Sequence, residues 1–125
     1  MIMKTVKKQD TRLFEIQAEI CKTLSQPKRL MLVHELRTGE KSVGQLSSIL
    51  GISQPNASQH LAILRKRGIV ATKRDGATVY YSLSSPRIGE ACDLVHKFLT
   101  EQLENSRELA SSIHKYDWES KAGKT

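Results

Sequence analysis

Two features are scarce in this 125-residue sequence, and each scarcity excludes a class of protein. The only two cysteines, Cys21 and Cys92, lie far apart and form no C-x-x-C, so neither a disulfide framework nor a zinc ribbon is predicted. No apolar run approaches the ~20 residues of a membrane span, and the N-terminal "MIMKTVKKQD" has no apolar signal region. We therefore expect a cytoplasmic protein without a membrane partner.

Catalytic patterns are also missing. No glycine-rich phosphate loop is present, and no serine, cysteine or carboxylate stands beside a suitable base, so the sequence does not predict an enzyme. Positive charge, by contrast, is in excess, with 20 Lys and Arg against 13 Asp and Glu and a formal net charge of +7. That excess favours a polyanionic partner without identifying it.

Helical spacing of apolar residues organises the first half of the chain. It predicts a first helix over about 11–24, and a second that starts near Pro27 and ends at Thr38-Gly39. A short third helix follows Ser42, which has the spacing of a capping box with Gln45. Gly51 ends that helix.

The stretch "GISQPNASQHLAIL", residues 51–64, predicts the second half of a helix-turn-helix. Ser53 is the expected cap of a fourth helix, and Pro55 is tolerated because the N–H groups of a first turn have no intrahelical partner. Ala57, Leu61 and Leu64 form the packing face. The helix is expected to end at Gly68.

Alternation with a period of two then predicts a β-hairpin from "IVATKR" and "TVYYSL", separated by Asp75-Gly76-Ala77. Ser85 and Pro86 open a fifth helix. Its apolar stripe runs from Ile88 and Cys92 through Val95, Leu99 and Leu103 and is expected to continue to Leu109 and Ile113. The predicted fold is mainly α with a small hairpin, a winged helix-turn-helix over 11–116. A flexible basic arm (1–10) and a flexible tail (117–125) flank it.

The first and last helices carry apolar stripes that exceed the surface left on such a small core. Burial against a second copy predicts a homodimer through these two helices. The alternative is that both helices simply lie over the winged core. In a dimer, two recognition helices about 34 Å apart would enter successive major grooves, which predicts a pseudo-palindromic DNA site.

From about Leu24 to Leu83 the sequence resembles the ArsR (ArsR/SmtB) family of winged-helix repressors. The resemblance is carried by "LSQPKRLMLVHEL", "SVGQLSSILGISQPNASQHLAILRKRGIV" and "KRDGATVYYSL". It implies a homodimeric transcriptional repressor that binds operator double-stranded DNA and releases it when an effector, often a metal ion, binds. The alternatives are an effector-independent or architectural DNA-binding protein and a protein-interaction module.

The first turns of the fourth helix hold the predicted base-reading residues. Amide, hydroxyl and imidazole groups can hydrogen-bond base edges or phosphates. The candidates are Gln54, Asn56, Ser58, Gln59 and His60. The resemblance implies a role for four of them, all except Asn56. Basic residues predicted to contact the DNA backbone are Arg65 and Lys66 at the end of the helix and Lys73 and Arg74 on the wing. The alternative is that these polar side chains are caps and a solvated helix face.

No cofactor is required by this prediction, and the effector is left open. Members of the family that this sequence resembles bind metal through cysteines in the third helix, but "SVGQLSS" contains no metal ligand. Other members sense sulfur or oxidants with one cysteine late in the second helix and another in the last helix. This chain has His34 and Thr100 at about those places. Cys92 and His96, four positions apart, share a helix face and are candidate metal ligands, and Asp93 with His96, three positions apart, is a second option. Cys21 and Cys92 are a candidate thiol switch, with two inert buried thiols as the alternative.

Overall fold

A computed structural model describes residues 8–106 of the chain, in the predicted order of elements. The helices and strands are α1 (Lys8–Thr23), α2 (Pro27–Leu36), β1 (Lys41–Ser42), α3 (Val43–Leu50), α4 (Gln54–Lys66), β2 (Val70–Asp75), β3 (Thr78–Leu83) and α5 (Pro86–Glu104). Helix α1 begins three residues before the predicted start at Thr11 and so includes the end of the predicted arm. The predicted continuation of α5 to Leu109 and Ile113, and the tail 117–125, lie outside the described residues.

The core is built from the helical repeats of α2, α3 and α4. Leu32, Leu46, Leu61 and Leu64 are fully buried, and Ile69 and Val70 join them from the start of the wing. Burying each such side chain contributes about 1.5–3 kcal/mol relative to its exposure. The packing face predicted for α4 is therefore confirmed.

The helix ends follow the predicted capping chemistry. Ser42 Oγ accepts from Gln45 N (3.2 Å), and Gln45 Oε1 accepts from Ser42 N (2.9 Å), which completes the capping box of α3. Gly51 ends α3 in the left-handed conformation (φ 69°) that favours glycine. Ser53 Oγ then accepts from Asn56 N (3.2 Å) and caps α4, which is separated from α3 by only three residues.

The sheet has one strand more than the sequence predicted. Strands β2 and β3 form the expected antiparallel hairpin, closed by the Gly76-Ala77 loop between the paired Asp75 and Thr78. The two-residue β1 pairs with β3, which gives the order β1-β3-β2. A strand this short has no readable alternation, and only pairing with β3 defines it.

The apolar stripes of the outer helices are split by the fold. In α1, Ile20 packs against the core while Leu13, Phe14 and Ile16 are exposed. In α5, Ile88 and Cys92 face the core, and a second apolar face is exposed, formed by Leu94, Val95, Phe98 and Leu99. The predicted α5 stripe therefore divides, with Ile88 and Cys92 on the core and Val95 and Leu99 exposed in the single chain, as expected for a stripe that exceeds the surface of the core. We call the exposed apolar residues of α1 and α5 the outer apolar face.

Candidate nucleic-acid interface

Helix α4 has a buried apolar side and an exposed polar side. Ala57, Leu61 and Leu64 are fully buried, whereas the predicted readers Gln54, Asn56, Ser58 and Gln59 are exposed. Pro55 lies at the second position of the helix, as predicted, and fixes its start without removing an intrahelical hydrogen bond. Packing of the apolar side of α4 against the core therefore directs its polar side towards solvent.

Two of these polar residues also have structural contacts. Asn56 uses its backbone N–H in the cap of Ser53, which leaves its side chain exposed. The amide nitrogen of Gln54 lies 3.5 Å from the position that a Cβ would take on Gly44, so Gln54 lies over the first turn of α3. The predicted readers Ser58 and Gln59 are exposed on the second turn of α4.

His60, the fifth predicted reader, is half-buried and contacts Arg29, for which the sequence predicted no role. Arg29 Nε donates a hydrogen bond to His60 Nδ1 (3.2 Å), and Arg29 Nη1 donates to the Thr23 carbonyl at the end of α1 (3.0 Å). Burial, and then the charges of Arg29 and Lys28, lower the pKa of His60 below its ordinary value. Arg29 and His60 lie 31 positions apart, so no local pattern could have connected them.

The predicted backbone-contacting residues are all exposed, but they differ in their ionic partners. Lys73 Nζ lies 3.3 Å from Glu40 Oε1, and its side chain remains 68% exposed. Arg74 follows it towards the tip of the wing, and Arg65 and Lys66 lie in the last turn of α4. The exposed cations therefore lie on two elements, the last turn of α4 and the wing.

The candidate metal ligands of α5 have other contacts. The Asp93 carboxylate is nearly buried and lies 3.3 Å from Arg37 Nη1 and 3.5 Å from Lys97 Nζ. His96 and Cys92 are half-buried one helical turn apart. Within residues 8–106 there is no cluster of three or more His, Cys, Asp or Glu suited to hold a metal ion.

The candidate thiol pair consists of two free cysteines. Cys21 is exposed on α1, and Cys92 is half-buried on α5. Burial raises the pKa of the Cys92 thiol; Arg37 opposes this rise, and Cys21, which lies close enough to act on it, adds to it. A raised pKa keeps Cys92 in the thiol form, which is less reactive than a thiolate.

None of the helices in the described part of the chain combines the length and the apolar character that crossing a bilayer requires.

Comparison with known proteins identifies the family. Residues 26–72 match the model of the family described as "Bacterial regulatory protein, arsR family". An uncharacterized HTH-type transcriptional regulator of Mycobacterium tuberculosis is 39% identical over 92 residues, which cover 73% of this chain and 81% of that protein. The biofilm growth-associated repressor of Xylella fastidiosa is 41% identical over 85 residues, covering 68% of this chain and 75% of the repressor.

Solved structures agree with this assignment. The transcriptional repressor BigR from Xylella fastidiosa superposes with a TM-score of 0.64 at 39% identity, covering 76% of this chain and 96% of that one. A homodimeric winged helix-turn-helix DNA-binding domain from Mycobacterium bovis gives a TM-score of 0.73 at 26% identity, covering 84% and 97%. The predictions of a winged helix-turn-helix fold and of a regulator rather than an enzyme are confirmed. This chain therefore belongs to the ArsR family of bacterial transcriptional regulators.

Proposed function

We propose that this protein is a sequence-specific repressor that binds a pseudo-palindromic operator as a homodimer. The observation that carries the proposal is the division of α4 into a fully buried apolar side and an exposed side of short hydrogen-bonding residues. Groups such as Ser58 and Gln59 on a rigid helix can match base edges in the major groove. Lys73 and Arg74 on the neighbouring wing would add phosphate contacts.

The outer apolar face supports the homodimer. Phe14 is 65% exposed and Phe98 60% exposed in the single chain. Large apolar side chains grouped in this way mark an association surface, and a two-fold axis lets one face cover its own copy. A structural relative from Mycobacterium bovis is itself homodimeric. The two copies of α4 in the dimer would then contact two DNA half-sites about 34 Å apart.

The experiment that tests the proposal is selection of bound duplexes from a random pool, followed by footprinting of the full chain. A specific repressor should enrich a short inverted repeat and protect it at salt concentrations that release non-specific complexes. Coating of any duplex without enrichment would favour an architectural protein instead. Absence of DNA binding even at low salt would favour a protein-interaction module.

Two substitutions separate base reading from backbone contact. Gln59→Ala should weaken binding to the selected site by about 1–3 kcal/mol while leaving non-specific binding nearly unchanged. Lys73→Ala should weaken both and reduce the salt dependence. Gln102→Ala, which removes an exposed amide of α5, is the control. Equal losses on specific and random DNA for both α4 and wing variants would contradict this division.

Release of the operator by an effector is the finer part of the proposal, with metal binding or thiol oxidation as the two candidate routes. Repeating the binding measurement with reductant, oxidant and divalent metal ions tests both. If only oxidant causes loss of DNA binding, and the Cys92→Ser variant keeps its binding under oxidant, the thiol route is assigned. The ion pairs of Asp93 and the raised pKa of Cys92 favour a second candidate, an effector-independent regulator, for which binding stays constant under every condition.

A further inference from the structure

Arg29 connects the end of α1 to the predicted reading surface of α4. Its guanidinium donates from Nε to His60 Nδ1 and from Nη1 to the Thr23 carbonyl, at 3.2 and 3.0 Å. We propose that Arg29 is a positioning residue that fixes the tautomer of His60 and thereby makes His60 Nε2 a hydrogen-bond donor towards an acceptor atom of the operator. This inference rests on the proposed function.

The tautomer follows from the donor chemistry of arginine. A guanidinium nitrogen carries protons and no available lone pair, so the His60 nitrogen that faces it must be an unprotonated acceptor. A neutral imidazole has one N–H, which is then on Nε2. Burial and the neighbouring cations Arg29 and Lys28 lower the pKa of His60, which favours this neutral ring.

The position of the ring is fixed as well as its protonation. The two donor groups of Arg29 belong to one planar fork, so holding the Thr23 carbonyl restricts the direction from which Nε meets His60. The residue directly after α4 also contacts α1, because Arg67 Nη2 lies 3.0 Å from Glu19 Oε1. Arg67 lies two helical turns after His60, on the same side of α4.

A proton on Nε2 limits which atoms of DNA His60 can recognise. A ring whose only free nitrogen is a donor can pair with purine N7, guanine O6, thymine O4 or a phosphate oxygen. It cannot accept from the amino groups of adenine or cytosine. The neighbouring Gln59 amide can do both, so His60 is expected to give a narrower preference.

The tautomer is tested directly by nitrogen NMR of the imidazole rings in the full chain. Wild type should show His60 with Nε2 protonated and Nδ1 unprotonated. Arg29→Lys keeps the positive charge but lacks the planar fork, and should shift His60 towards a mixture of tautomers. Arg87→Lys, the same exchange at an exposed position of α5, is the control. A protonated Nδ1 in wild type, or an unchanged ring in Arg29→Lys, would overturn the proposal.

The consequence for recognition is measured on the operator selected with wild type. Single base-pair substitutions test a base acceptor, and single methylphosphonate replacements test a phosphate acceptor. Replacing one particular base pair or phosphate should weaken DNA binding about 3–10-fold less for His60→Ala than for wild type, as expected for one hydrogen bond. Arg29→Lys should reproduce part of this loss at the same place, and Arg87→Lys none of it.

The outcomes separate this inference from the function on which it rests. If wild type selects an operator but His60→Ala and wild type have the same profile of base and phosphate sensitivity, the inference fails while the proposed function stands. If wild type selects no operator, the proposed function fails, and the reading role of His60 fails with it. Thermal unfolding of each variant identifies any loss that arises from a damaged fold.

Discussion

The winged core and the outer helices contain leucines in similar helical spacing, but the fold uses them in opposite ways. Leu61 of α4 is fully buried, whereas Leu94 of α5 is 67% exposed. The core leucines are surrounded by three helices and the base of the wing, while the side chains of the outer apolar face remain about half to two-thirds exposed. Apolar periodicity therefore identifies a face that needs a partner, and only the packing decides whether the partner lies in the same chain.

The largest expected effect comes from replacing the two leucines of this comparison, Leu61 and Leu94. Leu61→Ala should lower the free energy of unfolding by about 2–5 kcal/mol, because it leaves a cavity in a closed core. Leu94→Ala should change the unfolding of the dissociated chain by less than about 0.5 kcal/mol but weaken self-association. Denaturant unfolding at concentrations where sedimentation detects monomer gives both values. Similar losses for the two variants would contradict the assignment of Leu94 to a dimer face.

Gly89 lies where α5 attaches to the core. A Cβ added there would lie 2.9 Å from Arg37 Cγ and 3.1 Å from Leu83 Cδ1, and Arg37 is itself held by Asp93. Gly89→Ala should therefore destabilise the fold by about 1–3 kcal/mol although alanine is the better helix former. Glu90→Ala, an exposed change on the same helix, is the control for helix propensity. Increased thermal stability of Gly89→Ala would show that α5 shifts freely on the core.

The capping box of α3 tests how much the edge of the core depends on polar contacts. Ser42→Ala removes the hydroxyl that accepts from Gln45 N, and should lower the free energy of unfolding by about 1 kcal/mol. Ser48→Ala removes an exposed hydroxyl from the same helix and should change it little. Equal effects in urea unfolding would mean that the cap contributes nothing beyond the loss of a serine.

The smallest effect concerns His60 of α4, whose contact with Arg29 connects it to Thr23 at the end of α1. Since the pKa of His60 is lowered in the folded protein, unfolded chains bind more protons than folded ones in the pH window between the folded-state pKa and about 6.5. The contribution of neutral His60 to stability is then complete above that pH and is lost as the pH falls through the folded-state pKa. An NMR titration should place the His60 midpoint below its value in the urea-unfolded chain, and a midpoint above that value would contradict the contact with Arg29.

Much of the candidate site could be predicted from local sequence because its residues act through their own helix. The cap at Ser53, the proline at the second position and the spacing of Ala57, Leu61 and Leu64 depend on neighbours within one or two turns. The same information placed Ser58 and Gln59 on the exposed side. The ionic partners Glu40 of Lys73 and Glu19 of Arg67 could not be predicted, since each pair joins distant segments.

The sequence by itself determined the order of the helices and the hairpin, their caps and the polar side of α4, because apolar spacing and capping are properties of contiguous residues. Tertiary structure alone decided that β1 exists, that the stripe of α5 divides after Cys92, and that Arg29 reaches both Thr23 and His60. These features depend on distances between segments that only the packed chain brings together.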